Sequence, residues 1–338
     1  MEKKVTMQDI ADRLTISKNS VSQALSGKPG VSEETRRLVQ NTADELGYSY
    51  SNSRSQKQAD KKQSGNIALI ASDYAFSLTS FFGEIYLTVE KELRNRGMNL
   101  LIESIDHETK EKLTLPSLLT NHEIDGILIL SHISTEYISK VINTGIPTVL
   151  IDHHDPSLEA DSILTNNRFG AFTAVEHLIQ LGHKEIAFVG DVDISPSYQE
   201  RLEGYLLALK KYELKPVDDF MKTNVQENQA EISSLLNNLQ NRPTAWFCVN
   251  DGLGFLVTSL LQQKGIKVPE DVSVCSFDNG QLSQISTPTI TTMDIDLNYF
   301  GKRGVEQLCW RMENKDHPIQ EILLPTKLIV RESTSERK

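Results

Sequence analysis

Residues 5–25 read VTMQDIADRLTISKNSVSQAL, a spacing that fits two short helices joined by a tight turn. Thr6 is a good N-cap, and Asp9 three positions on completes a capping-box pair. A helix over Met7–Leu14 sets Ile10, Ala11 and Leu14 on one side. Thr15-Ile16 makes the connection. Ser17 caps a second helix to about Leu25, with Val21, Ala24 and Leu25 apolar and Lys18, Asn19, Ser22 and Gln23 on the other face. Further along, Gly27-Lys28-Pro29-Gly30 is a loop. Ser32 caps a third helix whose first turn holds Glu33 and Glu34, as the helix dipole favours. Leu38, Val39, Thr42 and Leu46 are expected to line its inner side, with Gly47 at the C′ position.

Three short helices with a tight turn between the first two form a helix-turn-helix unit. Its second helix would enter a DNA major groove with Lys18, Asn19 and Gln23 at base edges. Ser17, Ser20 and Ser22 can hold phosphates, and Thr6 and Ser32, at the other helix starts, join that set. A small three-helix bundle with a solvated polar face is the alternative. Charge bears on the choice. The 338-residue chain carries a formal charge of −11, which taken whole argues against nucleic acid and anionic membranes. It is unevenly spread: residues 1–62 carry +3 and the remainder −14.

Composition sets outer bounds. The length exceeds one ordinary core, so two or three domains are expected. Three cysteines, at 248, 275 and 309, are too few for a disulfide framework and lack metal-ligand spacing. The N-terminal stretch has no apolar signal region, and no run is long enough to span a membrane. A cytoplasmic protein is expected. Residues 49–65, rich in serine and lysine without proline, read as a flexible or conditionally folded linker.

From Asn66 onward short apolar runs alternate with amphipathic ones. Strands are predicted at Ile67–Ala71, Asn99–Ile102, Gly126–Leu130, Thr148–Ile151, Ile186–Val189, Ala245–Val249 and Val272–Phe277. Helices are predicted at Phe82–Arg96, Arg168–Leu181, Glu200–Tyr212 and Gly252–Lys264, three of them closed by Gly97, Gly182 and Gly265. This pattern implies α/β architecture with two doubly wound parallel-sheet subdomains and a ligand crevice at strand C-terminal ends. Asp152, Asn250 and Asp278 each follow a predicted strand, and Arg201 lies near a helix start, where a buried cation needs an anionic or polyol partner. Carboxylates, a guanidinium and aromatic faces suit a sugar-type ligand. Asn250 could instead be only a helix N-cap. Trp246, mid-strand, reads as core. His153-His154-Asp155 lacks a third spaced metal ligand and reads as a loop, and Gly252-Leu253-Gly254 lacks the dinucleotide fingerprint. No catalytic constellation is present, so neither an enzyme nor a cofactor is implied.

The runs Val5–Ala11, Ser17–Ser22, Val31–Arg36 and Leu46-Gly47-Tyr48 closely resemble the DNA-binding head of the LacI/GalR family of transcription regulators. Asp125-Gly126-Ile127, Gly145-Ile146-Pro147, Leu181-Gly182-His183, Arg201–Tyr205, Asn250-Asp251 and Thr291-Thr292 resemble that family's periplasmic-binding-protein-like effector domain. The resemblance spans about 5–332 and implies an all-α head at 1–48, a hinge at 49–65, an effector and dimerisation domain at 66–332 and a tail at 333–338. It divides the body into one subdomain at about 66–164 plus 294–324 and another at 165–293 plus 325–332. It also implies a homodimer on pseudo-palindromic operator DNA, and effector contacts from Tyr74, Phe82, Ser131, Asp152, Arg201, Asn250 and Asp278.

Four departures qualify it. Gln23 stands where the family usually has Arg, which points to an A·T rather than a G·C operator pair. The hinge lacks the usual Pro-Asn and a wedging leucine, leaving Arg54, Lys57, Lys61 and Lys62 for phosphates, so a plain tether stays open. The Asn-Pro before Phe81-Phe82 is replaced, and one of these rings could be core. Ile295 replaces a polar crevice residue. The expectation is a repressor of a carbohydrate-utilisation operon. A transporter's solute-binding protein and a corepressor-dependent regulator of a non-sugar metabolite are the alternatives.

Overall fold

The computed structural model describes residues 5–25, 30–46, 48, 64–73, 75, 81–130 and 133–337. The chain divides into two compact units, Met1–Gln63 and Ser64–Lys338.

The first unit holds α1 (Met7–Leu14), α2 (Lys18–Leu25) and α3 (Glu33–Glu45). The capping box at the start of α1 is closed in both directions. Thr6 Oγ1 accepts the Asp9 N–H at 3.4 Å, and the Asp9 carboxylate accepts the Thr6 N–H at 2.7 Å. Ser17 Oγ accepts the Ser20 N–H at 3.0 Å, and Ser32 Oγ the Thr35 N–H at 3.2 Å, so both serines cap the helices that follow. Ile10, Ala11, Val21, Ala24, Val39 and Ala43 form the core. Leu38 is a correction: it is 54% exposed, because Val39, Thr42 and Ala43 already face inward and Leu38 lies about 100° from Val39. The expected C′ residue Gly47 and most of the 27–30 loop lie outside the described residues.

The second unit runs β1 (Asn66–Ser72), α4 (Phe82–Asn95), β2 (Asn99–Ile105), α5 (His107–Glu111), α6 (Ser117–Asn121), β3 (Gly126–Leu130), α7 (Thr135–Ile142), β4 (Thr148–Ile151), β5 (Asp161–Thr165) and α8 (Asn167–Gln180). It continues with β6 (Ile186–Val189), α9 (Pro196–Lys211), β7 (Met221–Lys222), α10 (Gln229–Asn238), β8 (Ala245–Cys248), α11 (Asp251–Gln263), β9 (Ser273–Asp278), α12 (Gln281–Ile285), β10 (Thr291–Asp294), α13 (Leu297–Glu313), β11 (Glu321–Leu324) and β12 (Lys327–Ile329).

These strands make two six-stranded sheets, ordered β11-β5-β4-β3-β1-β2 and β12-β10-β9-β8-β6-β7. All neighbours are parallel except the antiparallel pair β10–β12. The strand order reverses between β1 and β3 in one sheet and between β6 and β8 in the other, and doubly wound sheets bind ligands at the strand C-terminal ends beside such reversals. The chain passes from one sheet to the other three times, after β5, after β10 and after β11. Strands β3 and β4 are buried throughout, as the continuous apolar runs require when helices cover both faces.

Two differences from the sequence expectation have a clear physical reason: a helix start and an unpredicted strand. Helix α9 starts at Pro196, not Glu200, because Ser195 caps it and proline suits its first turn. Strand β5 carries no apolar signal at its start. Asp161 is buried there because Arg311 grips its carboxylate through two N–H groups at 2.6 and 2.9 Å. Among the described residues no helix is long and apolar enough to cross a membrane.

Candidate functional site

Strands β4, β8 and β9 end on short loops whose polar residues turn toward one another. Asp152, just past β4, and Asp278, the last residue of β9, both hold left-handed backbone, with φ of 58° and 105°. Aspartate tolerates the first value better than most residues, while the second is strained. A cavity of about 110 Å³ lies among Phe81, Phe82, Asp152, Arg201, Asn250 and Asp278. It adjoins a wider one of about 870 Å³, with Tyr198, Glu227 and Asn250 on both walls. Asp152 and Phe82 come from the first sheet's elements, and Arg201, Asn250 and Asp278 from the second's.

Arg201 organises the centre. It is 2% exposed in the second turn of α9. Its Nε donates to Asn167 Oδ1 at 2.9 Å and its Nη1 to the Val249 carbonyl at 2.6 Å. Nη1 also lies 3.0 Å from Asp278 Oδ1, an ion pair, and the guanidinium stacks 3.8 Å over the Phe277 ring. The anionic partner that a buried cation needs is therefore internal.

Asp152 Oδ1 accepts from Ser197 Oγ at 2.8 Å. Burial pushes Asp152 up to about 6, against the pull of Arg201 and Ser197. Asp278 and Glu227 are also raised, mainly by burial. Asn250 takes the expected N-cap role and also lines both cavities. Its Oδ1 accepts the Leu253 N–H at 2.9 Å and caps α11. Its Nδ2 donates to Tyr198 Oη at 2.8 Å and to Glu227 Oε2 at 2.7 Å. Behind it Asp251, raised by burial to about 7, accepts from Ser276, Thr292 and the Gly280 N–H.

Phe82 is 2% exposed and part of the core as well as the cavity wall, meeting Phe81 edge-to-face at 4.8 Å. Trp246 is core, and so is Ile295. Tyr74 and Ser131 lie outside the described residues. Sequence reasoning missed Tyr198, Ser197 and Glu227. The Ser-Pro start of α9 was a signal for the first two. Glu227 sits in irregular chain before α10 and had none.

His153 lines the wider cavity, and burial lowers it to about 4. His154 is raised, chiefly by Glu200 at 3.4 Å, with Glu321 at 3.3 Å on its other nitrogen. Among the described residues no group of side chains could hold a metal ion.

On the first unit, Ser17, Lys18 and Asn19 are exposed, while Ser20, Ser22 and Gln23 are half-buried. The Ser17 and Ser20 hydroxyls bond to each other at 2.8 Å. The Gln23 amide lies against Gly30, whose missing Cβ would come 3.0 Å from Gln23 Oε1. Gln23 is thus more enclosed than a fully solvated reading residue. Arg54 lies outside the described residues.

Residues 6–51 match the model of bacterial regulatory proteins, lacI family, and residues 175–334 that of the periplasmic binding protein-like domain. The NTD biosynthesis operon regulator NtdR of Bacillus subtilis is 30% identical over 97% of this chain and 99% of its own. The chain belongs to the lacI family of bacterial regulatory proteins. The regulator DegA of Bacillus subtilis is 28% identical, covering 98% of each chain. The repressor PurR of Vibrio campbellii is 28% identical over 98% of this chain and 99% of its own. A CelR–cellobiose complex superposes with TM-score 0.72 at 24% identity, covering 97% of this chain and 99% of that one. The lac repressor dimer bound to operator and the anti-inducer ONPF gives 0.70 at 24%, covering 98% and 100%. These two show the fold. This lacI-family member is a DNA-binding transcriptional regulator with a ligand-binding domain, and not an enzyme.

Proposed function

We propose that the chain is a cytoplasmic, homodimeric repressor of a carbohydrate-utilisation operon, released from or fixed on its operator when a sugar-type molecule fills the cleft. One observation carries this reading: the cavity gathers Asp152, Asn250, Asp278 and the Arg201 guanidinium beside the rings of Phe82 and Tyr198. Paired carboxylates and amides bind adjacent hydroxyls, and aromatic faces cover a ring's C–H edges. The CelR complex is described with cellobiose, which supports the class without naming this ligand. Tyr74 and Ser131 contact the effector in this reading.

On the DNA side, Lys18, Asn19 and Gln23 read base edges, with Gln23 on an A·T pair. Thr6, Ser17, Ser20, Ser22, Ser32 and Arg54 hold phosphates. The domains follow the division 1–48, 49–65 and 66–332. Cleft closure alters the relative placement of two heads, with a coupling of about 1–3 kcal/mol. The test is operator-fragment binding measured with and without a panel of mono- and disaccharides. A five-fold or greater change, which corresponds to about 1 kcal/mol, supports the reading. Unchanged binding across every sugar that raises the melting temperature counts against it. Selected-site binding that requires G·C opposite Gln23 overturns the base assignment.

A further inference from the structure

We propose that the cleft selects a polyol bearing an amine over its neutral or phosphorylated counterpart. This rests on the reading of the cleft as the effector site. Among the described residues the two adjoining cavities are lined by six carboxylates, Asp152, Asp191, Asp193, Glu227, Asp251 and Asp278, against two cations, Lys110 and Arg201. The charge of Arg201 is already matched by Asp278 at 3.0 Å. What remains is an acidic wall, buried at Asp152, Asp191 and Asp251 and open to solvent at Asp193 and Glu227, where a phosphate would meet a net negative field.

The free acceptor capacity is specific. Asn250 holds Glu227 Oε2, and Oε1 takes no hydrogen bond from any described residue. Ser197 holds Asp152 Oδ1, and Oδ2 likewise takes none. An ammonium offers three donors and would fit between open carboxylate oxygens better than a hydroxyl, which offers one. Gly252 makes room for this arrangement: a Cβ there would sit 1.8 Å from Glu227 Oε1. His153 supplies an independent observation. It is 6% exposed on the wider cavity's wall, and its buried Nε2 has no hydrogen-bond partner among the described residues, so a polar ligand group can pair with it. Burial raises Asp152 and Glu227, and an ammonium set between them would favour their ionised forms. Tyr198 and the Phe81–Phe82 pair add ring faces for the cation and the sugar edge.

The experiment compares three matched arms by calorimetry and thermal shift on the full chain at physiological salt. The arms are glucose and galactose, glucosamine and galactosamine, and glucose 6-phosphate and galactose 6-phosphate. The amines are expected to bind at least about tenfold more tightly than their parents, the gain from one charge-assisted hydrogen bond. Glu227→Gln, which keeps the shape, should erase that preference while retaining the wild-type melting temperature within a few degrees. Asp152→Asn gives a second check should Glu227→Gln fail to fold. Parents binding as well as amines, or the phosphates binding best, overturns the amine inference and leaves the sugar-cleft reading intact. Amine preference that survives both variants places the cation elsewhere and overturns it too. If no arm binds at millimolar concentration, the sugar-cleft reading falls and this inference falls with it.

Discussion

Arg201→Ala is the sharpest perturbation of this molecule. The guanidinium is 2% exposed, pairs with Asp278 at 3.0 Å, and donates to the Val249 carbonyl and to Asn167. Truncation leaves Asp278 without its counter-charge beside Asp152 and Asp251, and leaves the Val249 carbonyl without that donor. Breaking a buried pair by removing one partner costs about 3–5 kcal/mol. Asp278 keeps 20% of its side chain exposed, so the lower end, about 3 kcal/mol, applies. The lost hydrogen bonds overlap with this figure rather than adding to it, since they belong to one network. Urea unfolding followed by tryptophan fluorescence measures the loss. Both tryptophans, Trp246 and Trp310, lie in the second unit, so the signal reports that unit alone. Arg201→Ala combined with Asp278→Asn removes the orphaned charge and should recover about 1–3 kcal/mol. Effector response should vanish in the single variant while operator affinity persists. A loss below about 1 kcal/mol, or no recovery in the double variant, would show that the ion pair does not hold this centre together.

Two glycines test packing against site geometry. A Cβ on Gly204 would meet the Arg168 carbonyl at 2.1 Å, so Gly204→Ala should destabilise the α8–α9 contact by about 3 kcal/mol in the same urea assay. In Gly252→Ala the atoms nearest the new Cβ are the carboxylate end of Glu227, so the change should cost about 1 kcal/mol yet weaken ligand binding markedly in calorimetry. Thr6→Ala opens the α1 capping box and should cost the head about 1 kcal/mol, weakening operator binding while ligand-induced thermal shifts of the second unit stay unchanged. His154 faces Glu200 and Glu321, with His153 and Asp155 beside it in the chain, and its pKa is raised from 6.5. Its stabilisation is therefore complete below pH 6.5 and is lost as pH rises through the raised value. The stability difference between wild type and His154→Gln should shrink from pH 6 to pH 8, and a constant difference would rule out protonation as its source.

Local chemistry made much of this protein legible. The caps Thr6, Ser17 and Ser32 stand beside the helices they start, so their signals survive in sequence. Gly126–Leu130 and Thr148–Ile151 were readable to the residue because a strand buried on both faces must be apolar throughout. Asp152, Asn250 and Asp278 were readable as site candidates because strand ends are where doubly wound sheets put ligands. Only the tertiary structure decided what lies between these points. Asp161–Thr165 and Thr291–Asp294 are strands in which Asp161, Thr292 and the Thr291 N–H are paired with Arg311, Asp251 and Ser333, partners distant in sequence. Glu227 enters the cleft from irregular chain through Asn250, and nothing local marks it. Leu38 is apolar yet exposed, since the inner face of α3 was already taken by Val39 and Ala43. Periodicity and capping act within a few residues of chain, and so are written in sequence. A buried charge or a cleft wall is stable only when a remote partner pairs with it, and that pairing is supplied by the fold.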